Sequence, residues 1–240
     1  MIALRSLLFN VLFIAWSILV QVLGMPSLLL PIAAVARGQQ LWVRGSLALL
    51  AAVCGVRHEI RGWERLPPEP CVLASKHQST WDTLIFPGLL PAPGFIIKRE
   101  LRWIPLFGWY LRRTGCIEID RKGGATALKR MLAEARRTLA AGRYIVIFPE
   151  GTRVVPGQRR PYHPGVAALY TQLQVPVVPV ALNSGLFWGR RKFLKKPGRI
   201  VLEFLEPIAP GLPRKEFTAE LERRIETASA RLVAEARPGT

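Results

Sequence analysis

The chain has 240 residues, half of them apolar, with 34 Lys and Arg against 16 Asp and Glu and a formal net charge of +18. That length accommodates one sizeable domain with a buried core. The charge favours an anionic partner, the apolar excess points to a membrane surface, and no helix-turn-helix, zinc-finger or aromatic RNA-binding signature supports nucleic acid.

No charged residue occurs from Ser6 to Ala36, a run longer than the roughly 20 residues that cross a bilayer. Pro26 and Pro31 interrupt it, because proline lacks an N–H and clashes with the preceding turn. A first helix is therefore expected over 7–23 and a second, shorter apolar piece over 26–36. One span followed by an interfacial segment satisfies this pattern, and so does a re-entrant hairpin. A cleaved signal peptide fits less well, since the apolar region is too long and Arg5 is a weak positive start. The stretch 41–56, marked by Arg44 and two glycines, reads as an interfacial or core-docked helix. Residues 1–56 are thus expected to form a membrane-anchoring helical region and residues 57–240 a separate domain. The dense Lys and Arg after Arg37 predict that this domain faces the cytoplasm from the inner membrane.

Beyond Arg57, short β-rich runs alternate with helical ones. Strands are expected over 58–61, 71–75, 95–98, 116–120, 144–148, 175–180 and 199–204. Helices are expected near 80–90, 124–141, 165–173 and 218–235, the last capped by Thr218. This alternation implies an α/β fold with a mixed, mostly parallel sheet flanked by helices. Cys54, Cys71 and Cys116 lie scattered in apolar stretches with no CxxC pair, and the histidines at 58, 77 and 163 lack metal-ligand spacing with them. These features read as buried thiols in a reducing compartment, with no disulfide frame, metal or cofactor expected.

Four clusters sit at strand ends, where α/β folds carry their chemistry. The first is Ser75-Lys76-His77-Gln78-Ser79-Thr80-Trp81-Asp82. On one continuous helix, five residues turn the chain by roughly 500°, so the histidine and aspartate would point about 140° apart. They can meet only if His77 lies in the turn after a strand and Asp82 in the first turn of the next helix, with Ser79 or Thr80 as its cap. A histidine held that way can move a proton near neutral pH. The second cluster, Ile119-Asp120-Arg121-Lys122-Gly123-Gly124, suits an anion at a helix start. The third is Phe148-Pro149-Glu150-Gly151-Thr152-Arg153. Its glycine permits close backbone approach, Arg153 can grip a phosphate with two hydrogen bonds, and Glu150 can orient that arginine or a substrate hydroxyl. The fourth, Val175-Pro176-Val177-Val178-Pro179-Val180, has no reactive group and reads as a groove wall or an edge strand.

In this order the four clusters resemble the glycerolipid acyltransferases typified by 1-acyl-sn-glycerol-3-phosphate (lysophosphatidic acid) acyltransferase. His77 and Asp82 match the family's His-x4-Asp motif. Gly115 through Arg121 match its second motif, 148–153 match Phe-Pro-Glu-Gly-Thr-Arg residue for residue, and 175–180 match its Pro-bearing strand. Lys98, in Ile96-Ile97-Lys98-Arg99-Glu100-Leu101, matches a lysine between the first two motifs. The chain departs from the family at Glu118, where an aromatic is usual, and at Tyr162-His163-Pro164-Gly165, where Phe and Lys are frequent.

The resemblance implies transfer of a fatty acyl group from acyl-CoA or acyl carrier protein to the sn-2 hydroxyl of lysophosphatidic acid, giving phosphatidic acid. It implies His77 as general base and Asp82 as its orienter. Lys98, Arg121, Glu150, Gly151, Thr152 and Arg153 would bind the acceptor. A sibling activity on lyso-ornithine lipid, another lysophospholipid or glycerol 3-phosphate is the alternative. A membrane-tethered esterase with a serine acyl-enzyme is disfavoured, because no Gly-x-Ser-x-Gly elbow occurs.

Overall fold

The computed structural model describes residues 1–120 and 123–236; Arg121 and Lys122 lie outside the described residues. The chain starts with helices α1 (Ile2–Leu23) and α2 (Ile32–Cys54), joined by a 3-10 turn over Met25–Leu29. Pro26 opens that turn and Pro31 is the N-cap of α2, positions where a missing N–H has no helical partner to lose. Past Pro31 nothing stops the helix before Cys54. The expected separate pieces over 26–36 and 41–56 are therefore a turn followed by one long helix.

The two helices pack closely. Gly45 of α2 admits the Trp16 ring so tightly that a Cβ there would stand 2.4 Å from it. Trp16 Nε1 donates to the Trp42 carbonyl (3.0 Å), and Trp42 Nε1 donates to Ser17 Oγ (3.0 Å). Gly55, at φ +68°, closes α2 in the left-handed conformation that favours glycine.

The remainder runs β1 (Val56–Arg61), β2 (Val72–Ser75), α3 (Trp81–Leu89), β3 (Gly94–Lys98), α4 (Phe107–Arg113), β4 (Ile117–Ile119), α5 (Gly124–Ala140), β5 (Ile145–Ile147), α6 (Pro164–Leu173), β6 (Val177–Leu182), β7 (Gly198–Phe204) and α7 (Arg214–Glu235). Among the described residues the strands form one seven-stranded sheet in the order β1-β7-β6-β2-β5-β3-β4. β2 runs parallel to β5 and β6, β3 to β4 and β5, and β1 to β7; β6 and β7 are antiparallel. The expected mixed, mostly parallel sheet flanked by helices is the fold. Its parallel strands β2, β3, β4 and β5 end on one edge, so the turns that follow them emerge together.

Alternate strand residues face opposite layers. Leu73, Val146 and Val178 pack with Phe9 of α1, Leu50 of α2 and Trp81 and Phe86 of α3. Their neighbours Val72, Ile145 and Val177 pack with Met131 of α5, Leu169 of α6 and Ile225 of α7. Coverage of both faces is why the central strands read as near-continuous apolar runs.

α1 belongs to this core. Phe9 is fully buried, and Phe9 and Phe13 meet the Trp188 ring edge-on at 5.3 and 6.0 Å. Ser6 Oγ accepts from the Lys195 N–H (2.9 Å), and Lys195 Nζ donates to Asn10 Oδ1 (2.6 Å). At the other end Tyr110 of α4 donates its hydroxyl to the Gln21 carbonyl (2.7 Å) and Arg113 donates to that of Leu30. The opposite side of α1 leaves Leu4, Leu7, Val11, Ile14 and Ile18 exposed. Among the described residues α1 is the one helix long and apolar enough to cross a membrane.

Three local expectations change. The Pro-bearing strand β6 is interior, flanked by β2 and β7, not an edge. Pro179 fits because its carbonyl accepts from Leu205 N–H (2.9 Å) on the β7 side, at the end of a ladder that spans only Val180 to Leu182. Its missing donor falls where the pairing stops. α7 begins at Arg214 behind Pro213, four residues before the expected cap. Thr218 is thus inside the helix, its hydroxyl bonded to the Arg214 carbonyl (2.9 Å). The short helix α4 was not expected.

Candidate active site

β2 ends at Ser75 and α3 starts at Trp81, so His77 occupies the strand-to-helix turn and Asp82 the first turn of the helix. His77 Nδ1 lies 3.0 Å from Asp82 Oδ2. The same oxygen accepts from the Gln78 N–H (2.6 Å) and the Ser79 N–H (2.8 Å), and Asp82 Oδ1 accepts from Ser184 Oγ (2.5 Å). Asp82 is fully buried, and this set of donors is what offsets the cost of burying a carboxylate. A carboxylate only accepts, so Nδ1 carries a proton, and in the neutral imidazole the lone pair is on Nε2.

The His77 ring stacks on Phe148 at 4.0 Å between centroids and 20° between planes. Its main chain is held from the same segment: the His77 N–H donates to Glu150 Oε2 (2.9 Å), and the Val154 N–H donates to the His77 carbonyl (2.7 Å). Backbone and ring are thus fixed by the turn after β5, and the side chain stays 14% exposed. Ser79 is fully buried, with its Oγ accepting from the Trp81 N–H (3.1 Å), and so offers no accessible nucleophile.

Arg153 Nη1 donates to Thr80 Oγ1 (2.8 Å), which draws the guanidinium to the start of α3 while leaving its other N–H groups free of that bond. Gly151 has φ +63°, a conformation that favours glycine in the tight turn between Glu150 and Arg153. Thr152 is half-buried beside them. Lys98 is exposed at the end of β3, paired in register with Ile119 of β4. Arg121 lies outside the described residues. A cavity of about 360 Å³ is lined by Ile97, Ile119, Phe148, Gly151 and the starts of α5 and α6 at Gly124 and Pro164, and meets His77 only through the Phe148 ring.

Glu150 departs from expectation. It is 1% exposed, and its Oε1 lies 2.6 Å from Lys76 Nζ; among the described residues no ion pair joins it to Arg153. Burial, only partly offset by Lys76, raises its pKa to about 7. The carboxylate faces the protein interior because Lys76, buried one residue before His77, draws it there. It holds the His77 main chain from behind.

The Acyltransferase family model matches residues 57–183, more than half of the chain. A 1-acyl-sn-glycerol-3-phosphate acyltransferase of Pseudomonas aeruginosa is 37% identical over 199 residues, covering 83% of this chain and 77% of that one. The chain belongs to the 1-acyl-sn-glycerol-3-phosphate acyltransferase family. The alpha form of that enzyme from Mus musculus is 33% identical over 198 residues, covering 78% of this chain and 68% of the relative. A crystal structure of the 1-acyl-sn-glycerophosphate acyltransferase of Thermotoga maritima superposes with a TM-score of 0.80 over all of both chains at 23% identity, a likeness of fold.

In this acyltransferase several site residues had no visible signal in the sequence. Ser184 supports Asp82 from the end of β6, and Gln78 Oε1 accepts from the Gly185 N–H (3.0 Å), tying the same two turns together. Only the polar Asn183-Ser184-Gly185 after an apolar strand hinted at them. The unusual Glu118 pairs with Arg102 (3.2 Å), a local ion pair in place of an aromatic contact.

Proposed function

We propose that the chain transfers a fatty acyl group from acyl-CoA or acyl carrier protein to the sn-2 hydroxyl of 1-acyl-sn-glycerol 3-phosphate, forming phosphatidic acid. The observation that carries this reading is the His77–Asp82 contact, with Nδ1 committed to the carboxylate and Nε2 left as a base. The names of the relatives supply the acceptor. Nε2 takes the proton of the acceptor hydroxyl as its oxygen attacks the thioester carbonyl. The C–S bond breaks, and the leaving thiolate takes the proton back from the imidazolium. Asp82 stabilises that imidazolium, as the third member of a triad does. General-base catalysis of this kind supplies roughly 10²–10⁴-fold; positioning and charge stabilisation supply the remainder.

Arg153, with Lys98 and Arg121, is the proposed grip on the acceptor phosphate. The cavity beside Phe148, apolar on its floor and bounded by two helix starts, suits a glycerol phosphate or the thioester end of the donor. Residues 1–56 are the proposed membrane-seating part and 57–240 the catalytic part. The start of α1 is bonded to the catalytic part at Lys195, its end at Tyr110, and the turn after it at Arg113. Arg37 and Arg44 on α2 would also be costly at the centre of a bilayer. A re-entrant hairpin lying in the cytoplasmic leaflet therefore fits better than a free-standing span.

The test is thiol release by detergent-purified enzyme from either donor, with lysophosphatidic acid, glycerol 3-phosphate and lyso-ornithine lipid as rival acceptors. Release that needs lysophosphatidic acid supports the proposal. Release without any acceptor means a thioesterase, and preference for another acceptor means a sibling transferase.

A further inference from the structure

Lys76 is 2% exposed, yet its ammonium sits among charges. Its Nζ lies 2.6 Å from Glu150 Oε1 and 2.7 and 2.9 Å from the two carboxylate oxygens of Glu226. Glu226 belongs to α7, 150 positions along the chain and beyond the residues that the family model matches. Tyr162 donates its hydroxyl to Glu226 Oε1 (3.0 Å). A buried ion cluster is weak evidence for stability, since well-packed apolar residues often serve as well. Its place is more telling. The Lys76 N–H closes the β2–β6 pairing on the Val180 carbonyl (2.9 Å), and the next residue is His77. Glu150 uses one oxygen for the ammonium and the other for the His77 N–H.

We infer that Lys76 is a positioning residue for His77. Its charge, set between Glu150 and Glu226, holds Glu150 where that carboxylate can fix the main chain of the proposed base, and so makes α7 part of the catalytic apparatus. This rests on the role proposed for His77. Two carboxylates would otherwise face each other in a low-dielectric interior, where like charges repel strongly. They would part, and the Glu150–His77 bond would go with them. The groups facing the ammonium are Glu150 from the β5–α6 connection and Glu226 from α7. Tyr162 donates to Glu226 and feels the charge of Glu222, and Arg159 lines a cavity of about 220 Å³ together with Lys76, Gln78 and Glu226.

The experiment compares wild type with Lys76→Met, Glu150→Gln, the double variant and Glu226→Gln by steady-state kinetics between pH 6 and 9. Lys76→Met should lower kcat on the order of 10–100-fold at pH 8, the scale of a small misplacement of a reacting group, while the acceptor KM changes less than about twofold. Its deficit should shrink at pH 6, where Glu150, raised to about 7 by burial, takes up a proton and no longer repels Glu226. The double variant should recover kcat relative to Lys76→Met, because an amide oxygen can still accept from the His77 N–H and two carboxylates no longer face each other, while Glu226 keeps the Tyr162 hydroxyl as a donor. A folded Lys76→Met with wild-type kcat at pH 8, or a double variant no better than the single, overturns the inference. If Lys76→Met does not fold, Glu226→Gln carries the same test, and an unaltered kcat and pH profile there overturns it. Full activity in His77→Ala would instead remove the reading on which the inference rests.

Discussion

Asp82 Oδ2 accepts three N–H groups at once, from the His77 ring at 3.0 Å and from the Gln78 and Ser79 main chain at 2.6 and 2.8 Å. The carboxylate therefore shapes the turn that presents the histidine as well as holding its tautomer. Asp82→Asn removes the charge that stabilises the imidazolium. Its NH2 either takes the Oδ2 place, where it meets the two backbone donors and selects the other imidazole tautomer, or takes the Oδ1 place, where the Ser184 hydroxyl must turn to accept. Steady-state kinetics should show kcat reduced by roughly 10³–10⁴-fold, the scale seen when a triad aspartate is amidated. Retention of kcat within tenfold would mean that the pair is structural. Ser184→Ala, which removes one neutral donor to Oδ1, should cost far less.

Arg153 reaches the start of α3 through Thr80 and lies on the same sheet edge as His77. Arg153→Ala is expected to raise the acceptor KM at least tenfold, the order of one lost charge-assisted contact. Its effect on kcat at saturating acceptor should be smaller. An unaltered acceptor KM would contradict the phosphate grip. Lys98→Ala, at an exposed strand end, should raise KM less.

Glu150 has its pKa raised from 4.5 to about 7, chiefly by burial. An acid with a raised folded-state pKa binds a proton that the unfolded chain has already released. Between about pH 4.5 and 7 this group therefore makes folding less favourable as pH rises. The melting temperature of the wild type should fall across that window relative to that of Glu150→Gln, which does not titrate. A constant difference between the two would show that Glu150 ionises normally.

Phe9 is fully buried against Trp188, inside the same core as the sheet. Phe9→Ala should destabilise the fold by about 3–5 kcal/mol, measured by denaturant unfolding in a fixed detergent. Unchanged stability would mean that α1 is a detachable anchor.

The seven strands and four larger helices of the sheet region were legible because each carries its own local signal: β-branched runs at 145–147 and 177–182, a helical stripe at 124–140, and proline or glycine at the breaks. The pairing of His77 with Asp82 was legible for a geometric reason, since their spacing allows contact only across a strand-to-helix turn. The docking of α1 was not. An apolar helix looks the same to lipid as to a protein core, and the polar contacts that decide it, Ser6 and Asn10 with Lys195, span about 190 positions. The partner of Glu150 was not legible for a similar reason. Its motif neighbours Arg153 and Gly151 suggested a substrate contact, while its actual partner Lys76 belongs to another motif and is itself shared with a helix near the end of the described chain. Pro179 misled in the other direction, because a missing N–H is harmless where a ladder stops.

The central claim is that His77 removes a proton from a lipid hydroxyl during direct attack on a thioester. It is tested most directly by acceptor-dependent thiol release in wild type and His77→Ala, with folding of the variant checked by its melting temperature. The account predicts release that needs lysophosphatidic acid in the wild type and falls by roughly 10²–10⁴-fold in the variant, the span of general-base catalysis. A folded His77→Ala enzyme that releases thiol at the wild-type rate would contradict it.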